Sequence, residues 1–393
     1  MNYPSPALIA EKKEAVLDRI RTHHLRRFES SRGDIFFISD TYPGVWIEHT
    51  YDGIAWAEYD ASQREIAKNQ ILLFIDNQRP DGHLPFAVTL KKIGFSQTQE
   101  CVSFGSLCLR ACDLNPQDGD WLPARCYEAL CGWDRWLCAN RMTKKTGLIE
   151  TFCGYDTGHD NSGRLNGMKY PGNLGADASV VPADCPVCPM ISPDLNAIFY
   201  GNRRALAAFA RRLGKKEEAA AWDARAEEVR RLLFETCYDE ADRYFYDVDK
   251  NGEMRKIKSI SLTSLFIEGV LDRDLGREIF ELHLHNPLEF WAPFPFPAVA
   301  MSDPTWVQNL PGNSWGFYSQ GLTALRTLLW MERYGFSSEM EEMMHRWIAA
   351  WCASTTTQFG QELHPLTGEP SRCSQWYSSC MLYFLHALKR LGM

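Results

Sequence analysis

SPDLNAIFYGNRRALAAFARRLGKKEEAAAWDARAEEVRRLLFETCY, residues 192 to 238, reads as two helices joined by a tight turn. In the first, Asp194 sits near the start, apolar residues recur along one face, and Gly214 stands where a helix C-cap belongs. The second is alanine-rich and sets opposite charges four residues apart. Outward from this pair the same period continues. Residues 6–27, 54–78, 101–114 and 121–142 precede it as helical segments, and 259–271, 272–285, 315–335, 337–354 and 373–392 follow. Strand signals are few; 33–40 and 243–249 are short enough to be hairpin pieces.

About eleven helical segments fall into pairs, with unequal connections. Some pairs are joined tightly, whereas 142–192 and 284–313 are long. Connections beyond about 12–15 residues in a compact domain usually carry function. Residue-level repeats that would mark an α-solenoid are missing. The expected fold is all-α, a single (α/α)6 toroid spanning 1–393, with the long loops forming a pocket at one end.

The 393 residues carry a net charge of −8, which argues against a nucleic-acid partner. No stretch is long and apolar enough to span a membrane, and the polar N-terminal segment does not read as a signal peptide. The thirteen cysteines are odd in number and scattered, as expected of reduced thiols in a cytoplasmic protein. Cys185 and Cys188 have metal spacing but lack a partner pair, and the histidines are scattered, so neither a metal nor a cofactor is expected.

The polar, aromatic-bearing segments lie between helices. One holds Trp46, Glu48, Tyr51 and Asp52; others hold Asp81 and His83, Gln97, Gln99 and Glu100, Trp315 and Gln320, or Glu362, His364, Glu369 and Trp376. The loop GYDTGHDNSGRLNG, 154–167, contributes Asp156, His159, Asp160 and Arg164. Amides and carboxylates bind hydroxyls in both senses while aromatic faces cover C–H patches, so such segments suit a polyhydroxylated ligand. Within the loop itself, Asp156 and Asp160 are equal candidates for chemistry.

The order of these segments resembles the inverting α-glycosidases of the trehalase and processing-α-glucosidase clan, closest to glycoside hydrolase family 63. Gly158-His159-Asp160-Asn161-Ser162-Gly163-Arg164 is similar to the family's G-W-D-N-S-P-R segment. Pro43, Gly44, Trp46 and Tyr51-Asp52 match an early P-G-x-W…W-D segment, Gln78, Asp81, Gly82 and Pro85 a Q-x-x-D-G-x-x-P segment, and Thr98-Gln99 a T-Q-P-P-like one. GNSW at 312–315 and QELHPLTGE at 361–369 complete the order. The resemblance implies the toroid without the separate β-sandwich domain of many members. It implies Asp160 as general acid and Glu362 as general base of an inverting hydrolysis, although an ungapped match sets Gln361 at the base's place. Trp46, Tyr51, Asp52, Gln99, His159, Arg164, Trp315 and Trp376 are then the sugar-binding candidates. His159 and Gly163 depart from the family spelling, which bears on the substrate. The expected activity is an exo-acting α-glycosidase, an α-glucosidase on short oligosaccharides or small glucosides in the first place. A close variant would take an α-mannoside or a glycosyl-glycerate. The alternatives are a sugar 2-epimerase, which would need a pair of histidines, and a non-catalytic sugar-binding toroid. A small carbohydrate is the expected partner.

Overall fold

Thirteen α-helices order the described residues of the computed structural model, which are 3–165, 177–181, 185–306, 313, 315–355 and 358–393. They are α1 (Pro6–Arg19), α2 (Thr50–Tyr59), α3 (Glu65–Ile75), α4 (Phe104–Leu114), α5 (Trp121–Asn140), α6 (Pro193–Arg212), α7 (Lys216–Cys237), α8 (Thr263–Glu268), α9 (Arg273–Ile279), α10 (Gly321–Arg326), α11 (Met331–Tyr334), α12 (Ser337–Ala353) and α13 (Ser378–Arg390).

Burial sorts them into two layers. In α2 every residue from Thr50 to Ala57 is buried, all six residues of α10 are, and in α13 burial runs unbroken from Ser378 to Leu385. A helix covered on every side lies inside. By contrast α7 buries only the stripe Ala219, Trp222, Ala226, Val229, Leu233 and Cys237, the signature of a helix with one face outward. The inner helices α2, α4, α6, α8, α10 and α13 form the ring: α2 packs on α4, α4 on α6, α6 on α8, α10 on α13, and α13 back on α2. The segment just after α10 returns to α8: the Phe266 ring lies 4.8 Å from that of Trp330, and Arg333 donates to the Ile267 carbonyl at 2.9 Å. The outer helices α1, α3, α5, α7, α9 and α12 alternate with them along the chain. This is the (α/α)6 toroid.

The helix pair at 192–238 folds as its sequence reads. Pro193 starts α6 with its φ already helical, and Gly214 turns the chain at φ 74°. Other segments are shorter than their periodicity predicts. The single helix expected over 54–78 is two, α2 and α3, because Asp60 leaves helical geometry and its side chain accepts from the Ser62 N–H at 3.0 Å and hydroxyl at 2.6 Å. The N-terminal helix expected over 6–27 ends at Arg19. After a wider turn over 20–24, residues 25–27 pair with 34–36 as a hairpin. The other strands are equally short: 44–46 pairs with 87–89, 319–320 with 362–363, and 247–248 with 254–255. They tie together the loops at the end of the ring where α2, α10 and α13 begin.

Candidate active site

At that end the described residues line a pocket. Its wall is built from segments that lead into inner helices. Trp46, Glu48 and His49 precede α2, Gln99 precedes α4, and Gly158 and Asp160 come from the loop before α6. Asn313 and Trp315 precede α10, and Gln361 and Tyr377 precede α13. N-terminal helix ends carry partial positive charge, so this end of the ring favours carboxylates and ligand oxygens.

Asp160 is held between main chain and amide. Its carbonyl accepts from the Trp315 N–H at 2.9 Å, and its Oδ2 accepts from Asn313 Nδ2 at 2.9 Å, while Oδ1 is buried without a partner. Burial, with the charge of Glu48 adding to it, pushes the Asp160 carboxyl up to about 8. A carboxylic acid that keeps its proton at neutral pH can give it to a leaving oxygen. Asn313 itself sits at φ 60°. It accepts from Gln361 Nε2 at 2.9 Å, and its main-chain N–H donates to Glu362 Oε1 at 2.7 Å.

Glu48 is the pocket's second carboxylate. Gln99 Nε2 donates to its Oε1 at 3.0 Å and the Cys101 thiol to its Oε2 at 3.5 Å. Gln99 in turn accepts from Gln97 at 2.6 Å. Burial, partly offset by the nearby Arg326 guanidinium, moves the Glu48 carboxyl up to about 7. Its fit is close: a Cβ on Gly158 would stand 2.3 Å from Glu48 Oε2, and Gly158 has φ 69°. Next to Glu48, His49 shares a 2.6 Å hydrogen bond with the Tyr377 hydroxyl and is kept neutral by burial.

The expected site residues divide. Trp46, Gln99, Asp160 and Trp315 line the pocket. His159 stands just behind it, its ring 4.4 Å from that of Trp315 and its Nδ1 bonded to Arg164 Nη1 at 2.9 Å. Arg164 does not face the pocket: it is buried between Asp194, at 2.8 and 2.9 Å, and Asp247, at 2.6 and 2.8 Å. Tyr51 and Asp52 lie in the first turn of α2. There Asp52 is occupied by the hydroxyls of Ser378 and Ser379, and Tyr51 lies under the Arg110 guanidinium. Trp376 packs away from the pocket on Phe359 and Arg19, and its neighbour Tyr377 supplies the wall. Glu362 is fully buried behind Gln361, with Oε2 accepting from Gln320 Nε2 at 2.5 Å. Asp156 is structural. Arg141 grips it at 2.7 and 3.1 Å, and the N–H groups of Thr98, Phe152 and Cys153 donate to it. His49, Asn313 and Tyr377 were not singled out from sequence, and Glu48 was not separated from its neighbours; Gln361, which an ungapped match sets at the base's place, does line the pocket. His49 and Tyr377 share a signal of position, immediately ahead of the inner helices α2 and α13. Cys185 and Cys188 sit in a small apolar cluster with Val187 and Met190, and the Cys188 N–H donates to Cys185 Sγ at 3.2 Å. Among the described residues no group of three or more His, Cys, Asp or Glu converges as a metal site would require.

A family model described as the mannosylglycerate hydrolase MGH1-like glycoside hydrolase domain matches residues 51–379. The chain belongs to this MGH1-like glycoside hydrolase family. It is therefore a glycoside hydrolase whose catalytic fold is that of the family 63 and trehalase clan. The MGH1-like assignment leaves the epimerase alternative without support. Among solved structures, the chain is similar to the GH63 mannosylglycerate hydrolase of Thermus thermophilus in complex with Tris, at 18% identity and TM-score 0.74, covering 96% of this chain and 99% of that one. The same enzyme in complex with Tris and D-glycerate matches at TM-score 0.72, again at 18% identity and covering 96% and 99%. The neutral trehalase of Saccharomyces cerevisiae matches at 12% identity and TM-score 0.71, covering 91% of this chain and 73% of that one. No curated protein sequence matches the chain. Among the described residues no helix is long and apolar enough to cross a membrane.

Proposed function

We propose that the MGH1-like chain is an exo-acting, inverting α-glycosidase of small substrates, cleaving an α-glucoside or α-mannoside whose leaving group is as small as glycerate. The observation that carries this reading is Asp160: a buried carboxyl in a pocket wall, with one oxygen held by Asn313 and the other buried without a partner. In the reaction Asp160 protonates the glycosidic oxygen while a water, deprotonated by a second carboxylate, attacks the anomeric carbon from the other face. Trp46 and Trp315 offer apolar faces to the ring, and Gln99 and His159 serve the sugar hydroxyls directly or through the wall. The lining is compact, with Tyr42 and Leu322 beside the two tryptophans, which suits a single terminal sugar. The family match supports adding mannosylglycerate, and with it other glycosyl-glycerates, to the α-glucosides as candidate substrates. The described residues act as one catalytic unit within 1–393. Among the described residues the thirteen cysteines form no disulfide and ten of them are buried, which supports a cytoplasmic setting.

The test is hydrolysis of α-mannosylglycerate, α-glucosylglycerate and short α-glucosides, followed by NMR before mutarotation. A β-configured sugar as first product supports the reading. Release of the α-anomer, or no turnover of any of them, overturns it.

A further inference from the structure

We propose that Glu48, rather than the late-strand Glu362, is the general base of this hydrolase. The inference rests on the glycosidase reading above. In the step, Glu48 takes a proton from water, whose oxygen bonds to the anomeric carbon. The glycosidic C–O bond breaks, and its electron pair takes the proton of Asp160. Charge and atoms balance with no further reactant: one carboxylate becomes an acid as the other acid becomes a carboxylate.

The late-strand position is closed to this role by geometry. At the wall stands Gln361, an amide, which cannot take a proton from water at neutral pH. Glu362 points to the opposite side of its strand, as successive strand residues do, and both its oxygens already accept hydrogen bonds, from the Asn313 N–H and from Gln320. Asn313 therefore stands between Glu362 and the pocket. Among the described residues lining the pocket, the carboxylic acids are Glu48 and Asp160. Glu48 lines the pocket and keeps capacity to accept. Gln99 and Cys101 fix one donor on each oxygen, leaving further lone pairs for a water. Gly158 leaves the space that Glu48 Oε2 fills, so the acid loop and the base are matched in shape.

The test compares Glu48→Ala, Glu362→Ala and Gln361→Glu on the best substrate of the wild type, with sodium azide as probe. Azide is an anion and attacks without a base. The expected result is that E48A loses about 10³-fold in kcat. Azide then restores turnover of E48A and yields the inverted β-glycosyl azide, whereas turnover of E362A does not respond to azide. Q361E is expected to gain no activity. Azide rescue of E362A in place of E48A, or a rise in kcat on Q361E, would overturn the assignment of Glu48. An inactive wild type would instead overturn the glycosidase reading itself. Rescue by azide also requires a folded pocket, so a variant that merely unfolds cannot mimic the expected result.

Discussion

Asn313 Nδ2 donates to Asp160 Oδ2 at 2.9 Å, from a residue whose main chain at the same time faces Glu362. This amide favours the ionised form of Asp160 and so opposes the effect of burial. Replacing Asn313 by Gly keeps the φ of 60° and removes the donor. The acid then holds its proton more tightly, and the alkaline limb of kcat/KM against pH moves to higher pH. A limb that stays in place or moves down would show that Asn313 does not act on the acid.

The two pocket carboxyls predict a narrow pH optimum. Activity rises with pH as Glu48 ionises near pH 7 and falls as Asp160 ionises near pH 8. The bell of kcat/KM should therefore centre between these values, and Asp160→Asn should abolish it with a loss of about 10²–10⁴ in rate. Asp160 has a folded-state value above its unfolded one, so its burial costs stability progressively as pH rises from about 4 towards 8. D160N is then expected to melt at least as high as wild type, with the difference growing over that range. Differential scanning fluorimetry at pH 5 and pH 8 measures it.

Asp156, four residues earlier, should behave in the opposite way. It is buried against Arg141, and despite the cost of burial the guanidinium and three main-chain N–H donors hold its carboxyl below the usual range. Such a group contributes stability above the unfolded value near 4 that is lost as pH falls through the folded one. Asp156→Ala strands a buried arginine, a loss of about 3–5 kcal/mol. Urea unfolding at pH 7 should show this loss, with little of it remaining at the acid limit of the folded state.

Gly158→Ala meets a carboxylate oxygen at 2.3 Å and the Cys101 sulfur at 2.5 Å, from a backbone at φ 69°. The left-handed conformation costs a non-glycine residue about 1–2 kcal/mol, and Glu48 must also move. Activity is expected to fall by a larger free energy than stability does. Parallel kinetics and melting of G158A check this, and a fall confined to stability would show that Glu48 is not sensitive to its seat.

The toroid was legible from sequence because its signal is long. A 47-residue helix pair with cap and period, repeated around the chain, leaves few other folds. The acid loop was legible in part, since motif order separated Asp160 from Asp156 before any geometry did. What escaped was direction. Gln361 and Glu362 are adjacent, yet on an extended chain adjacency means opposite faces, and a motif one place out exchanges a wall residue for a buried one. Trp376 and Tyr377 differ in the same way. Along α2 Asp52 looked like a ligand, but it is buried in an inner helix and is taken by two serines of α13. Arg164, a sugar-binding candidate by motif, instead holds two carboxylates, Asp194 and Asp247. Local splitting at Asp60 escaped because a turn of helical period on either side hides a short capped break.

That grip of Arg164 joins the acid loop to both ends of the 192–238 pair, since Asp194 opens α6 and Asp247 lies in the hairpin beyond α7. The catalytic loop and the helix pair cannot then drift independently in evolution. A substitution at either aspartate should be tolerated only alongside a change at Arg164, because either loss alone strands a buried charge.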